Sequence, residues 1–147
     1  MKQKPERRKL GCLGALLGVL PAAPLAWILT RSDLLTGLVG LAGFLLGLGG
    51  WRLLAGRSSG LGIGLSALLT PLAALPGLWL GYAELILREN ERYGCTLAEA
   101  LELVPTILAD PGNLKSVVVD VGSIVLLDIL AAILTAKYLR LRASEAG

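Results

Sequence analysis

The sequence contains no histidine and only two cysteines among its 147 residues. Histidine is the commonest metal ligand and the commonest proton shuttle at neutral pH, and a structural zinc site needs a cluster of about four nitrogen or sulfur ligands. The scattered carboxylates form no such cluster, and no Ser/His or Cys/His pair is available for nucleophilic catalysis. These absences predict a protein that is not an enzyme and that binds neither a metal nor a cofactor.

Charge is also scarce, at 17% of residues against about 25% in a typical soluble domain. Three blocks, 10–30, 34–51 and 58–83, contain no charged residue, and a fourth, 117–136, contains only two aspartates. A helix needs about 20 apolar residues to cross the ~30 Å hydrocarbon layer. The sequence therefore predicts an all-α polytopic membrane protein with four transmembrane helices, at about 10–30, 34–55, 60–83 and 117–137.

The first apolar block is interpreted as a membrane anchor and not as a cleaved signal peptide. It exceeds the 7–15 apolar residues typical of a signal peptide, and the prolines in "PAAPLAW" interrupt any small-residue cleavage site. The predicted organisation is a basic tail at 1–9, a single four-helix membrane domain at 10–139 and a second tail at 140–147.

The basic residues are distributed unequally between the two predicted sides of the membrane. Ten of them flank the termini and the 52–57 loop, whereas four lie at the other ends of the spans, at Arg31, Arg88, Arg92 and Lys115. Because lysine and arginine concentrate on the cytoplasmic side, both termini are predicted to be cytoplasmic, in a bacterial-type cell membrane. The net charge of +3 reflects this asymmetry, and no basic and aromatic stripe indicates nucleic-acid binding.

The outer segment, 84–116, is net acidic and contains one amphipathic pattern. Thr96 followed by Glu99 is a capping-box sequence, and leucine and valine then recur at helical spacing. A short surface helix is therefore predicted at 96–109, bent or divided at Pro105 and ended by "DPG". Two roles remain open for it: a cover over the outer end of the bundle, or a lid or partner-docking surface.

Glycine is abundant, with 19 residues. Four motifs place two glycines four residues apart, a spacing that lets helix backbones approach closely in lipid. These motifs predict helix packing, within the chain or in a homo-oligomer, at Gly14, Gly18, Gly43, Gly47, Gly60, Gly64, Gly77 and Gly81.

Prolines recur at similar depth in two spans, Pro21 and Pro24 in the first and Pro71 and Pro76 in the third. Each proline removes a backbone donor and frees a carbonyl one turn earlier, which must then be satisfied by protein or water. They are predicted as helix breaks. Interrupted helices that meet near the midplane are typical of transporter sites, although proline is also common in ordinary membrane helices.

Asp128 lies about 16 Å into the fourth span, near the centre of the bilayer. A charged aspartate at that depth costs at least about 2.5–3.5 kcal/mol, so its side chain is expected to face the bundle. Asp120 and Thr135 fall on the same side of the helix and complete a candidate polar stripe. Two interpretations remain open: polar contacts that hold helices together, or a site for a proton or a cation.

The four-span pattern and its glycine motifs resemble small glycine-rich four-span membrane proteins of Gram-positive bacteria, a group without an assigned activity, so this resemblance implies no functional residue. Asp128 on the fourth span also resembles the carboxylate of the proteolipid subunits of V-type ATPases. The predicted orientation is inverted, the acidic outer segment is extra and no loop motif matches, so membership of that family is rejected.

Together these patterns predict a small integral membrane protein that acts as a non-catalytic scaffold or accessory subunit, packed through its glycine-rich helices. The expected partners are the lipid bilayer and either a second copy or another membrane protein. The alternative is a component of an ion or proton channel or carrier that uses Asp128.

Overall fold

The computed structural model describes residues 7–32 and 35–145. Within these ranges the chain forms only helices and short connections: α1 (Arg8–Val19), α2 (Ala22–Arg31), α3 (Leu38–Ala55), α4 (Gly60–Glu89), a 3-10 turn (Glu91–Tyr93), α5 (Leu97–Leu108) and α6 (Pro111–Glu145). The predicted all-α fold is confirmed. The start of the basic tail at 1–6, the start of the second predicted span at 34 and the last two residues lie outside the described part.

Four helical segments are long and apolar enough to cross a membrane: Arg8–Arg31, Leu38–Ala55, Gly60–Glu89 and Pro111–Ser144. The shortest has 18 residues, which corresponds to about 27 Å at 1.5 Å per residue. Large leucine and isoleucine side chains remain exposed along these segments, as expected for surfaces that face lipid. The chain is a multi-pass membrane protein.

The first span is divided into two helices. α1 ends at Val19 and α2 begins at Ala22, with Pro21 as its N-cap. The two halves pack on different neighbours, α1 mainly against α3 and α2 mainly against α4. Pro24 lies in the first turn of α2, where a missing N–H leaves no helical bond unmade. The prediction of a break in the first span is therefore correct at Pro21 and wrong at Pro24, which lies inside α2.

The predicted break in the third span is wrong. α4 remains helical through Pro71 and Pro76 over its 30 residues. Each proline still removes one donor, but α4 packs against α1, α2, α3, α5 and α6. A helix enclosed by so many neighbours can lose single backbone bonds without unwinding, because packing supplies most of the stability of a helix within a protein.

α3 packs against α1, α4 and α6 and, over a smaller contact, against α2. Its side chains Phe44 and Trp51 are fully buried, and Trp51 packs with Ala15 and Ala55. A second cluster joins α2, α3, α4 and α6 around Ala22, Val39 and Ile124. The core is therefore built mostly from small residues between closely spaced helices.

The outer segment is more helical than the sequence predicted. α4 continues to Glu89, and α6 begins at Pro111, so "DPG" starts a helix as well as following one. The predicted capping box of α5 is present, with Thr96 and Glu99 bonded to each other's backbone N–H. α5 remains one helix through Pro105 and buries Ala100 and Val104 against the end of α4.

Candidate functional site

Asp128 is buried inside the bundle, with 1% of its surface exposed. One turn before it on α6, the carbonyl of Ile124 lies so close to Gly40 that a Cβ there would overlap it. One turn after it, Ala131 packs with Phe44 and Ile63. Asp128 therefore faces α3 and α4, in agreement with the energetic argument against exposing it to lipid.

The surroundings of Asp128 supply little polarity. Its Oδ1 atom has no hydrogen-bond partner among the described residues. The Oδ1 atom of Asp128 is thus a buried polar atom without a described partner, and the role of this side chain remains a prediction.

Asp120 has a different environment, at the end of the bundle where α5 lies. Its Oδ1 accepts a hydrogen bond of 2.7 Å from the hydroxyl of Thr36, and its Oδ2 accepts one from the hydroxyl of Tyr82. The Ser123 hydroxyl donates to the Asp120 carbonyl at 2.8 Å and lies 3.4 Å from Thr36 Oγ1. This Asp120 cluster joins α6 to α4 and to the residues that precede α3.

The structure separates the members of the predicted polar stripe. Asp120 and Asp128 lie two turns apart, about 12 Å along α6, and they have different neighbours. Thr135 is half-buried, about 10 Å beyond Asp128 along the same helix. The three residues share one side of α6, but they form no common site.

A third polar group joins α2 to α4 at the same end of the bundle. Trp27 Nε1 donates to Glu84 Oε2 at 3.0 Å, and Arg31 Nε lies 3.5 Å from the same oxygen. The Arg31 guanidinium also lies over the Trp27 ring, 6.0 Å from its centroid. Aromatic and basic side chains are typical of the depth where membrane and water meet.

Asp120 lines two cavities. The first, about 220 Å³, lies beneath α5, and we call it the α5 cavity. Its polar lining residues are Thr30, Tyr82, Glu89, Asn113, Ser116 and Asp120. The second, about 360 Å³, lies between α6 and the start of α3 and is lined by Thr36, Ser123 and mainly apolar residues. Asp120 therefore separates two accessible spaces.

The predicted packing glycines divide into two groups. A Cβ at Gly14, Gly18 or Gly77 would overlap the backbone carbonyl of a neighbouring helix, and one at Gly43, Gly47 or Gly81 would press on a side chain. At Gly60 and Gly64 no heavy atom of residues 7–32 and 35–145 lies within 4 Å of such an atom. Within the chain, the prediction fails for these two because the intervening Gly62 faces inward, against Trp51.

Sequence reasoning missed the partners of Asp120 and the unpartnered hydroxyl of Thr30. Tyr82 and Thr36 each lie near the end of a hydrophobic block, at the depth that Asp120 has on α6. Tyr82, Thr36 and Asp120 lie at similar distances from the outer ends of their spans. A comparison of these distances along the sequence therefore places the three residues at the same depth. The sequence contains no comparable signal for the rotation of each helix about its axis, which turns these side chains towards each other.

No group of three or more metal-ligating side chains occurs in residues 7–32 and 35–145. Comparisons of the chain with protein-family models, with curated proteins and with solved structures found no match.

Proposed function

We propose that this membrane protein is a non-catalytic scaffold or accessory subunit of a bacterial-type cytoplasmic membrane, with both termini cytoplasmic. In this role the chain binds a second membrane-embedded helix, from another copy or from a partner protein. Its contribution is a small, rigid bundle whose helices approach closely at glycine and whose polar groups are directed inward.

The observation that supports the scaffold over transport is the burial of Asp128. A transport site needs a water-accessible path to the carboxyl group that binds the proton or cation. Asp128 is 1% exposed, and its neighbours one turn away on either side pack against α3 and α4. A side chain enclosed in this way is better suited to a structural role than to the binding of a transported proton or cation.

The outward-facing glycines support association with another helix. Gly60 and Gly64 are exposed and lie one turn apart on α4, and a Cβ added at either would meet no heavy atom of the described residues within 4 Å. Glycines at this spacing allow a second helix to approach closely in lipid, where van der Waals contact supplies much of the association energy. Most other motif glycines are already occupied by contacts within the bundle.

Transport through Asp128 stays as the second candidate, because one observation favours it. The unpartnered Oδ1 of Asp128 leaves an acceptor that a proton or a cation would satisfy. Buried ionisable residues within membrane helices are functional candidates for this reason.

Two measurements separate the candidates. The purified protein is reconstituted in liposomes and its proton, sodium and potassium fluxes are compared with those of empty vesicles; Asp128→Asn serves as the matched variant. The scaffold predicts no flux above background and an unchanged fold in Asp128→Asn. A flux that Asp128→Asn abolishes, while the fold survives, supports transport instead.

The association is tested with Gly60→Leu combined with Gly64→Leu. The scaffold predicts that the mass of the complex extracted from membranes falls while the melting temperature of the bundle stays the same. The matched control is Gly43→Leu with Gly47→Leu, which should destabilise the bundle itself because both positions face neighbouring helices. An unchanged mass in the outward-facing variant contradicts association through this face.

A further inference from the structure

One end of the bundle carries a concentrated positive charge, and we call it the basic end. It is formed by the start of α1, the connection between α3 and α4 and the last turns of α6. The backbone N–H of Arg7 donates to the carbonyl of Ala55 at 3.4 Å, which joins α1 to the end of α3. Leu139 of α6 packs against the cluster that contains Ile63, near the start of α4. Eight basic side chains are exposed at this end: Arg7, Arg8, Lys9, Arg52, Arg57, Lys137, Arg140 and Arg142.

The basic end has few acidic residues to balance this charge. Glu145 is the only acidic residue that the described ranges place there, because most others lie between 84 and 120, towards the opposite end of the bundle. Within the described part of the chain, Lys9, Arg52 and Lys137 take part in no ion pair. Eight basic residues therefore stand against one acidic residue, and the counter-charge of these three side chains must come from outside the described chain.

Apolar side chains share the helical turns of several of these cations. Leu53, the residue after Arg52, is 83% exposed, and Leu141, between Arg140 and Arg142, is 55% exposed. Near the ends of membrane helices, lysine and arginine extend along their apolar stems to place the charged group at the interface. A cation and a lipid-facing leucine in the same turn match the two parts of a phospholipid, its charged headgroup and its acyl chains.

The depth of these cations distinguishes a lipid from other anionic partners. Arg52 belongs to the last turn of a membrane span, and Lys137 follows the apolar run of the fourth span directly. The guanidinium of Arg142 lies over the ring of Tyr138, 5.5 Å from its centroid, and tyrosine is enriched where membrane and water meet. A phospholipid carries its phosphate at this depth, whereas a nucleic acid or an acidic soluble protein remains in the water above it.

We propose that the basic end binds anionic phospholipids in preference to zwitterionic ones. Phosphate oxygens accept hydrogen bonds from Arg52 on α3 and from Lys137 on α6, and the acyl chains lie against the exposed leucines Leu53 and Leu134. The lipids surround this end of the bundle and need no closed pocket. This interaction is separate from Asp128 and depends neither on the scaffold role nor on which side of the membrane the basic end faces.

The test uses the full chain in a maltoside detergent, which carries no phosphate group. Phosphatidylglycerol and phosphatidylcholine with the same acyl chains are titrated separately, and the bound lipids are counted by native mass spectrometry. The proposal expects saturable binding of phosphatidylglycerol, at least about tenfold tighter than that of phosphatidylcholine, because each basic side chain near an anionic lipid strengthens binding about fivefold. Equal affinity for the two lipids, or no saturable binding of phosphatidylglycerol, overturns it.

Two matched double variants locate the lipids. Arg52→Gln combined with Lys137→Gln removes two charges from the basic end and should weaken phosphatidylglycerol binding at least about fivefold. Arg88→Gln combined with Lys115→Gln removes the same net charge from the opposite end and should leave the affinity unchanged. All four side chains are exposed, so neither double variant disturbs the buried core. Equal effects of the two show that net charge alone attracts the lipid, and they overturn the assignment to the basic end.

Competition distinguishes a lipid from a free phosphate group. Glycerol phosphate is added in excess to the complex with phosphatidylglycerol, and a chloride salt of the same ionic strength is the control. The proposal expects no more displacement than in the control, because glycerol phosphate has the anionic group but no acyl chain to contact the exposed leucines. Displacement beyond the control shows that phosphate alone is recognised, and it contradicts a lipid surface as the partner.

Discussion

The hydroxyl of Tyr82 on α4 donates a hydrogen bond to Asp120 on α6, 38 residues later in the chain. Thr36 donates to the other carboxylate oxygen of Asp120. One side chain therefore holds three segments of the bundle together at one level. This arrangement allows the contribution of a single polar bond between membrane helices to be measured.

Tyr82→Phe should lower the free energy of unfolding by about 0.5–1.5 kcal/mol, because the ring stays but the donor to Asp120 is lost. Unfolding of the purified protein in mixed micelles by a denaturing detergent measures this change. Tyr93→Phe is the control, since Tyr93 is 86% exposed and its substitution should be silent. Equal stability of both variants with wild type contradicts a stabilising role for the Tyr82 bond.

Gly77→Ala should destabilise the bundle by about 1–3 kcal/mol, because its Cβ would overlap the carbonyl of Ala23 on α2 and force two backbones apart. Gly64→Ala, on the same helix, has nothing within 4 Å of the added atom. Its stability should stay within about 1 kcal/mol of wild type. The same unfolding measurement compares the two, and a Gly64→Ala loss as large as that of Gly77→Ala is the contrary result.

Glu99 should make the start of α5 sensitive to pH. The backbone N–H of Thr96, followed by its side chain, donates to Glu99 and holds the pKa of that carboxyl below its ordinary value of 4.5. Because the pKa is lower in the folded state, the stabilisation is present above about pH 4.5 and is lost as the pH falls through the folded pKa.

Hydrogen exchange of the first turn of α5, corrected for the intrinsic rate, measures this effect. Protection should be lower at pH 3 than at pH 6 in wild type and in the control Glu102→Gln, but nearly independent of pH in Glu99→Gln. Thr96→Ala should reduce protection at both pH values, by about 1 kcal/mol for loss of the N-cap. Equal pH dependence in Glu99→Gln and wild type shows that another group is responsible.

Cys95 should react with a membrane-impermeant maleimide in intact cells. It is half-buried beyond the end of α4, whereas Cys12 is in α1 and packs at the opposite end, near Trp51 and Ala55. The expected orientation places Cys95 outside the cell, and Cys95→Ser should abolish the labelling. Modification of Cys95 only after lysis reverses the predicted orientation.

The four spans and the capping box were predictable because their signals are local. A run of about 20 apolar residues determines a membrane helix, and Thr96 with Glu99 determines a helix start within four residues. The break at Pro21 was predictable for the same reason. The continuity of α4 through Pro71 and Pro76 was not, because it depends on the helices that enclose α4.

The polar contacts were less accessible to sequence reasoning. A bond such as Tyr82 to Asp120 depends on the rotation and the relative depth of two helices that are distant in the chain. The same limit explains the glycine result: Gly60 and Gly64 have the packing spacing, but the rotation of α4 directs Gly62 inward. Spacing defines a face of a helix, and only tertiary packing determines what that face contacts.

The division of the first span has a consequence for biosynthesis. When this span leaves the ribosome, neither α3 nor α4 has yet been synthesised, so neither half has its final neighbour. The helix break at Pro21 is encoded locally and is present from the start. α1 can dock on α3 once the second span has entered the membrane, whereas α2 can dock on α4 only after the third span has entered it. The N-terminal part of this chain is therefore inserted into the membrane first, but its packing against the other helices is completed late.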